Sequence, residues 1–400
     1  MTLSTAIKGR FVLADGVHRG VVSIAGDRIG SVTPGAVGSI APGGLEQFDD
    51  DHVIVPGFVD LHCHGAAGGE YGVGVDPARR ASAYHLAHGS TTQVASLVSN
   101  VPQVLERGVR ECAELVADGT LAGIHLEGPF LSTVRCGAQN PAVLTDVDPR
   151  LVEALVEACA QAGVPDAIVQ WTYAPERDLE GVFPRCLADA GILPAIGHTD
   201  ADAVTTRIAM EVCVAQAERV RGGRPLVTHL FNGMPSLHHR SPGPVAATIA
   251  AAASGSAVAE VISDGQHLDA ETVRFVFDTV GAGSIALITD AMAACGMPDG
   301  AYSLGGQDVE VAHGAARLVH GEGLAGSIAP LVDCLRFAVR QAGIPLHEAA
   351  RAASATPASV LGIDDHVGSI EPGKLADLVV LDGDLRVVRV MRRGAWVDAA

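Results

Sequence analysis

Lysine is almost absent from this chain: Lys8 and Lys374 are the only two in 400 residues. Positive charge is scarce altogether, with 27 Lys and Arg against 46 Asp and Glu, for a formal net charge of −19. That balance argues against nucleic acid or an anionic membrane as the main partner. An anionic substrate must then be met by a few local cations, nearly all of them arginine. Aromatic residues are sparse at 4%, whereas Ala, Val and Gly abound. No charged-then-apolar leader opens the sequence, so no signal peptide is expected. The most apolar long stretch, 244–261, is mostly Ala and contains Ser, Gly and Glu. It reads as a helix followed by a strand and not as a membrane span. The eight cysteines (63, 112, 136, 159, 186, 213, 295 and 334) form no C-x-x-C pair. Reduced thiols in a cytoplasmic protein fit that scatter better than a disulfide framework.

What is present is ample apolar material, 48% of the residues. The first 57 residues alternate apolar and polar positions with Gly or Asp at the turns, and predict short antiparallel strands. ADLVVLDGD, LRVVRVMRRG and AWV near the C-terminus have the same character. Both ends are therefore expected to meet in one small sheet domain, 1–57 with 363–400. The middle, 58–362, alternates strands and amphipathic helices. Strands are predicted at 58–64, 91–97, 121–127, 167–173, 192–198, 225–229, 256–263 and 284–290, with helices such as 102–119 and 148–163 between them. Parallel βα units eight times over predict a closed (β/α)8 barrel, a TIM-like α/β fold. The pattern breaks near 300–320, where a hairpin insertion is expected.

FVDLHCHG (58–65) places His62 and His64 one residue apart. In a strand, residues i and i+2 share a face, so both imidazoles point the same way. The C-terminal ends of barrel strands are where active sites lie. Other strands end there in groups of similar chemistry: Glu127 in IHLEGPF, His198 in IGHTDAD, His229 in VTHLFN and Asp290 in LITDAM. Packing does not account for so many imidazoles and carboxylates on one rim. Nitrogen and oxygen donors of this kind suit Zn²⁺, Fe²⁺ or Mn²⁺. Neither lysine lies in the barrel, so any bridge between two ions falls to a carboxylate, with Glu127 the candidate. Asp290 also has a bland reading as a helix N-cap.

In order, PGFVDLHCHG, HLEGPF, GHTDA, THLFNGM, DGQH, TDAM and LAGS resemble the motifs of N-acetylglucosamine-6-phosphate deacetylases of the amidohydrolase superfamily. The resemblance covers nearly the whole chain, including EPGKLADLVVLD. It implies a barrel with a small β-sandwich domain, and hydrolysis of N-acetyl-D-glucosamine 6-phosphate to D-glucosamine 6-phosphate and acetate in amino-sugar catabolism and recycling. The galactosamine epimer, or another acetamido sugar, is the alternative substrate. A catalytically dead barrel is a further reading, which the intact set of ligands opposes.

The resemblance also implies roles. Glu127, His198 and His229 would hold the main ion, His62 and His64 a second, with Asp290 both a metal residue and the acid and base. One or two divalent ions, zinc foremost, would be the cofactor. Ala138, Gln139, Asn232, Gly233, Arg240, Asp264, His267, Leu324, Ala325, Gly326 and Ser327 would contact substrate. Arg240 would reach a phosphate across a homodimer interface. Where many members of the family carry His in G-x-H-N-P, this chain has Gln139 in RCGAQNP. An amide cannot become cationic there. Cys136 on the same loop reads as a redox-sensitive thiol or a bystander, and His125 as a supporting or structural residue.

Overall fold

The computed structural model describes residues 5–35, 44–321 and 323–397. The expected lack of a leader and the outer limits of the terminal domain fall partly on residues outside these.

Eight parallel strands form the centre: Phe58–Cys63, Ser90–Val98, Gly123–Glu127, Ile168–Tyr173, Leu193–Ile196, Leu226–Val227, Val258–Val261 and Ile285–Leu287. They pair in sequence order. The Asp290 amide donates to the His62 carbonyl at 2.8 Å, and the His64 amide to the Ala291 carbonyl at 2.8 Å. These bonds carry the eighth segment back to the first and close a (β/α)8 barrel. Helices sit outside it, and their starts are legible in the chain. Pro102 and Pro149 each open a helix where a missing N–H costs nothing. Asp148, Asp202 and Asp269 cap helices by accepting backbone N–H bonds. The helix Pro102–Ala117 turns Leu105, Val109, Cys112, Ala113 and Leu115 inward. The stretch 244–261 is indeed a helix, Gly243–Ala253, then a strand, Val258–Val261. Among the described residues, no helix is long and apolar enough to cross a membrane.

Strands from both chain ends share a second sheet. Its order is Ala395–Trp396, Val387–Arg392, Leu378–Leu381, Val53–Pro56, Thr5–Leu13, Gly16–Ala25 and Arg28–Pro34. Leu45–Gln47 pairs alongside Thr5–Leu13. Ile7, Phe11, Val22, Ile29, Ile54, Leu378 and Val380 bury against one another within it. The insertion differs from expectation. It is a three-stranded antiparallel sheet, Gly300–Leu304, Gln307–Ala312 and Ala315–Leu318. Two tight turns build it, one at Gly305 and Gly306 and one at His313 and Gly314, all with positive φ. The second turn adds the strand that a hairpin lacks.

Several barrel strands are shorter than their apolar runs. The fifth, sixth and eighth stop at Ile196, Val227 and Leu287. His198, His229 and Asp290 follow just beyond, each in the left-handed region with φ of 46°, 27° and 48°. Such backbone costs of order 1–3 kcal/mol per residue and persists where the surroundings over-determine it. These three side chains are thus aimed by a turn at the rim and not by strand alternation.

Candidate metal centre

The third barrel strand delivers Glu127 to the middle of the rim. Its far end is held by packing: the Trp171 indole donates to the Gly128 carbonyl at 2.8 Å, and its ring lies against Phe130 and Phe183. All three rings are fully buried. Each contributes about 1.5–3 kcal/mol of apolar burial, which rigidifies the turn after Glu127.

Around that carboxylate four imidazoles converge. Glu127 Oε1 lies 2.9 Å from His198 Nε2 and 2.9 Å from His229 Nε2. Those two nitrogens are 3.0 Å apart. Glu127 Oε2 lies 3.2 Å from His64 Nε2 and 3.7 Å from His62 Nε2, themselves 3.2 Å apart. Asp290 Oδ1 completes the second group, 3.4 Å from His62 Nε2 and 3.2 Å from His64 Nε2. Two clusters, one of three side chains and one of four, therefore share one carboxylate, one oxygen each. All six side chains are buried or nearly so.

The tautomers fit a cation. His64 Nδ1 donates to the Ser96 carbonyl and His198 Nδ1 to the Arg135 carbonyl, at 3.1 and 2.8 Å. His62 Nδ1 faces Glu260 Oε2 at 3.1 Å. A proton fixed on Nδ1 leaves the Nε2 lone pair free. Lone pairs facing each other at about 3 Å repel unless a proton or a cation lies between them. Donor atoms at 2.0–2.1 Å from a tetrahedral ion are about 3.3 Å apart, close to the spacings here. The donor set thus fits one or two divalent ions.

Electrostatics agree. Burial opposes charge on His62, yet Asp290 and Glu127 raise its pKa well above the ordinary value. Burial likewise opposes charge on His64, but bonds to Asp290 and Glu127 raise it to about 9. Burial favours neutral carboxyls at Glu127 and Asp290, and the imidazoles outweigh it, holding both below the usual range. The buried carboxylates demand positive charge, which protons supply when no ion does.

A cavity of about 290 Å³ opens over the cluster, lined in part by His64, Glu127, His198, His229 and Asp290. Of the residues expected to contact substrate, Ala138, Gln139, Asn232, Gly233, His267, Leu324 and Gly326 line it. Gly233 has φ +61°, and a Cβ there would stand 2.8 Å from His198 Nδ1. Gly326 has φ +67°, and a Cβ would meet the Asp290 carbonyl at 2.7 Å. Both glycines let backbone approach the rim. Gln139 Oε1 accepts from the Ser99 amide at 2.7 Å, which turns its Nε2 onto Glu127 Oε2 at 2.6 Å.

Four expected contacts lie elsewhere. Ala325 is fully buried beneath the rim. Ser327 is buried and donates to the Thr289 carbonyl. Asp264 sits behind His267, accepting its Nδ1–H at 2.8 Å. Arg240 is exposed on a loop beside His239, away from the cavity of its own chain. Sequence reasoning also missed Gly137, Phe231, Leu304 and Gly323 in the lining. Glu260 was missed as well. It is fully buried, and holds His62 Nδ1, the His229 amide at 3.3 Å and Gln170 Nε2 at 3.2 Å. A glutamate inside the apolar strand VAEV is the signal that marks it. His125 is a supporting residue, fixed between Ser96 Oγ and Thr172 Oγ1 with its ring against His62.

A parallel barrel whose C-terminal rim gathers four imidazoles and two carboxylates around a shared oxygen pair has the architecture of a metal-dependent hydrolase. The chain belongs to the amidohydrolase family, whose profile matches residues 53–397. It is similar to the N-acetylglucosamine-6-phosphate deacetylase of Bacillus subtilis, 34% identical over 87% of this chain and 85% of that one. The N-acetylgalactosamine-6-phosphate deacetylase of Escherichia coli O157:H7 is 30% identical over 91% and 93%. Among solved structures, N-acetyl-D-glucosamine-6-phosphate deacetylase from Mycobacterium smegmatis, in complex with N-acetyl-D-glucosamine-6-phosphate, superposes with a TM-score of 0.88. It is 38% identical and 98% of each chain is covered.

Proposed function

We propose that this chain is a divalent-metal deacetylase that converts N-acetyl-D-glucosamine 6-phosphate and water to D-glucosamine 6-phosphate and acetate. One observation carries the reading: Glu127 offers one oxygen to His198 and His229 and the other to His62 and His64, with Asp290 beside the second pair. The names of the relatives supply the substrate. The galacto epimer stays in view through the E. coli relative.

Glu127, His198 and His229 would hold one divalent ion, and His62 and His64 a second; bound there, they would supply Lewis acidity and a water made nucleophilic at neutral pH. Asp290 takes the proton of the attacking water and returns it to the leaving amine nitrogen. Burial opposes its charge, but His62 and His64 outweigh burial and keep its carboxyl ionised, so it has a lone pair free to take that proton. Gln139 holds Glu127 in place and presents a neutral amide to the substrate chamber. Asn232, Gly233, His267, Leu324 and Gly326 orient the sugar. Zinc is our first choice of metal, with iron and manganese close behind.

Further assignments rest on the resemblance. Residues 1–57 and 363–400 form a supporting β-sandwich domain, and 58–362 the catalytic barrel with its insertion. The working unit is a cytoplasmic homodimer, in which Arg240 reaches the phosphate bound by the neighbouring subunit. Asp264, Ala325 and Ser327 act from behind the contact surface. Acetate release from the phosphorylated sugar, by protein stripped with chelator and reloaded with zinc, tests the reading. Turnover that needs the metal and falls with Arg240→Ala through KM supports it. Reloaded protein that releases no acetate overturns it, and an unchanged KM removes the role of Arg240.

A further inference from the structure

A larger cavity, about 470 Å³, lies at the opposite end of the barrel. Pro56, Arg224 and Gly283 line it, and each stands two residues before the start of a barrel strand, the first, sixth and eighth. The turn Val12–Asp15 of the terminal sheet and the helices Leu346–Ala353 and Ala355–Val360 supply other walls. Its cations are unusual in a chain with net charge −19. Arg224 is half-buried and donates Nη1 to the Gly283 carbonyl at 2.9 Å and Nη2 to Ser359 Oγ at 3.0 Å. Both acceptors are neutral. Arg351 comes within 3.0 Å of where a side chain at Gly283 would begin, space that only glycine leaves open. Its guanidinium has no hydrogen-bond acceptor or ion-pair partner among the described residues. Burial, and after it the charge of Arg351, lowers the pKa of Arg224.

None of the acids in the lining forms an ion pair with either arginine among the described residues. Asp15 is engaged by His18 at 2.8 Å, and Glu371 lies 3.9 Å from Lys374. Asp364 also lines the cavity, and its charge partly offsets that of Arg351 on Arg224, but it forms no ion pair with either arginine among the described residues. His347 stands one turn before Arg351 on the same wall. Two guanidiniums left near each other without a counter-anion repel, and an anion between them converts that repulsion to attraction.

We propose that this chamber is a second ligand site, for a small molecule bearing a phosphoryl group, held by Arg224 and Arg351. A planar carboxylate satisfies one guanidinium fork. A tetrahedral phosphoryl group presents oxygens to two forks arriving from different elements. The remaining volume, walled by Val12, Leu13, Pro56, Ala350, Val367 and Ile370, takes the organic part. The site lies between barrel and terminal sheet, so an occupant ties the two together. It goes beyond the deacetylase reading and does not depend on it.

The test is equilibrium dialysis of the intact protein with radiolabelled inorganic phosphate, ionic strength being held constant with chloride. Arg351→Gln, at an exposed position that leaves the fold intact, is compared with wild type, and Arg224→Gln is the second variant. The expected result is a loss of one equivalent of phosphate bound per chain, or at least a tenfold weaker affinity for it. Succinate at equal charge competes at least tenfold less well than phosphate. Neither variant touches the metal rim, so kcat/KM stays within twofold of wild type. Unchanged phosphate stoichiometry and affinity in both variants overturn the proposal, and succinate competing as well as phosphate overturns the phosphoryl assignment.

Discussion

Glu260→Gln is the most informative single change, because Glu260 touches the metal rim only through its neighbours. The carboxylate accepts from three donors: His62 Nδ1–H, the His229 amide and Gln170 Nε2–H. An amide of the same shape turns one acceptor oxygen into an NH₂ group. If that group faces His62 and His229, two donors meet a donor. If it flips, it faces Gln170 instead. Either orientation leaves a buried polar clash, with a stability cost of about 1–3 kcal/mol. The larger effect falls on His62, which loses the carboxylate that fixes its tautomer. Loss of such outer partners weakens metal binding about 10–100-fold, or about 1.4–2.7 kcal/mol. The ion held by Glu127, His198 and His229 is expected to lose less, since His198 is oriented separately through the Arg135 carbonyl. The assay is elemental analysis after dialysis against graded chelator, with wild type and variant side by side. The variant should surrender one equivalent of metal at chelator concentrations that leave wild type fully loaded. Identical release curves would refute the claim that Glu260 sets the His62 ligand.

Asp290→Asn should keep metal bound at Glu127, His198 and His229 while lowering kcat by about 10²–10⁴-fold, the usual range for a lost general acid or base; steady-state kinetics with metal analysis check both halves. Gln139→Leu removes the bonds to the Ser99 amide and to Glu127 Oε2. A loss of about tenfold or more in kcat/KM is expected, and Gln139→His should recover part of it if the imidazole reaches the same carboxylate. His85 gives a pH signature. Burial holds its pKa at about 4 against 6.5 when exposed. As pH falls below 6.5 the unfolded chain takes the proton and the folded chain does not, so stability is lost progressively down to about pH 4. The gap is worth about 3 kcal/mol. The stability advantage of wild type over His85→Gln, followed by denaturant unfolding of chelated protein, should therefore shrink between pH 7 and pH 4; a constant difference would refute the assignment.

Much of the architecture was legible along the chain. The apolar runs separated by amphipathic helices fell within a few residues of the eight barrel strands, because hydrophobic period reports secondary structure directly. His62, His64, Glu127, His198, His229 and Asp290 stood out because six imidazoles and carboxylates at strand ends have no packing explanation. Arg240 was singled out through motif position, and its own chain places it on an exposed loop away from the cavity. Glu260 escaped notice because a carboxylate inside a short apolar run carries no periodic signal of its own. Its partners come from elsewhere in the barrel: His62 and Gln170 from two other strands and His229 from the turn after a third.

Local chemistry therefore settled which elements form and which residue types can bind a cation, since both depend on neighbours a few positions away. Register, closure and aim were decided by the folded molecule. The left-handed turns that point His198, His229 and Asp290 inward, the division of the Glu127 oxygens between two imidazole pairs, and the meeting of Arg224 with Arg351 at the barrel's foot all join residues remote in sequence. Such distances depend on strand pairing and sheet closure, which no local pattern encodes.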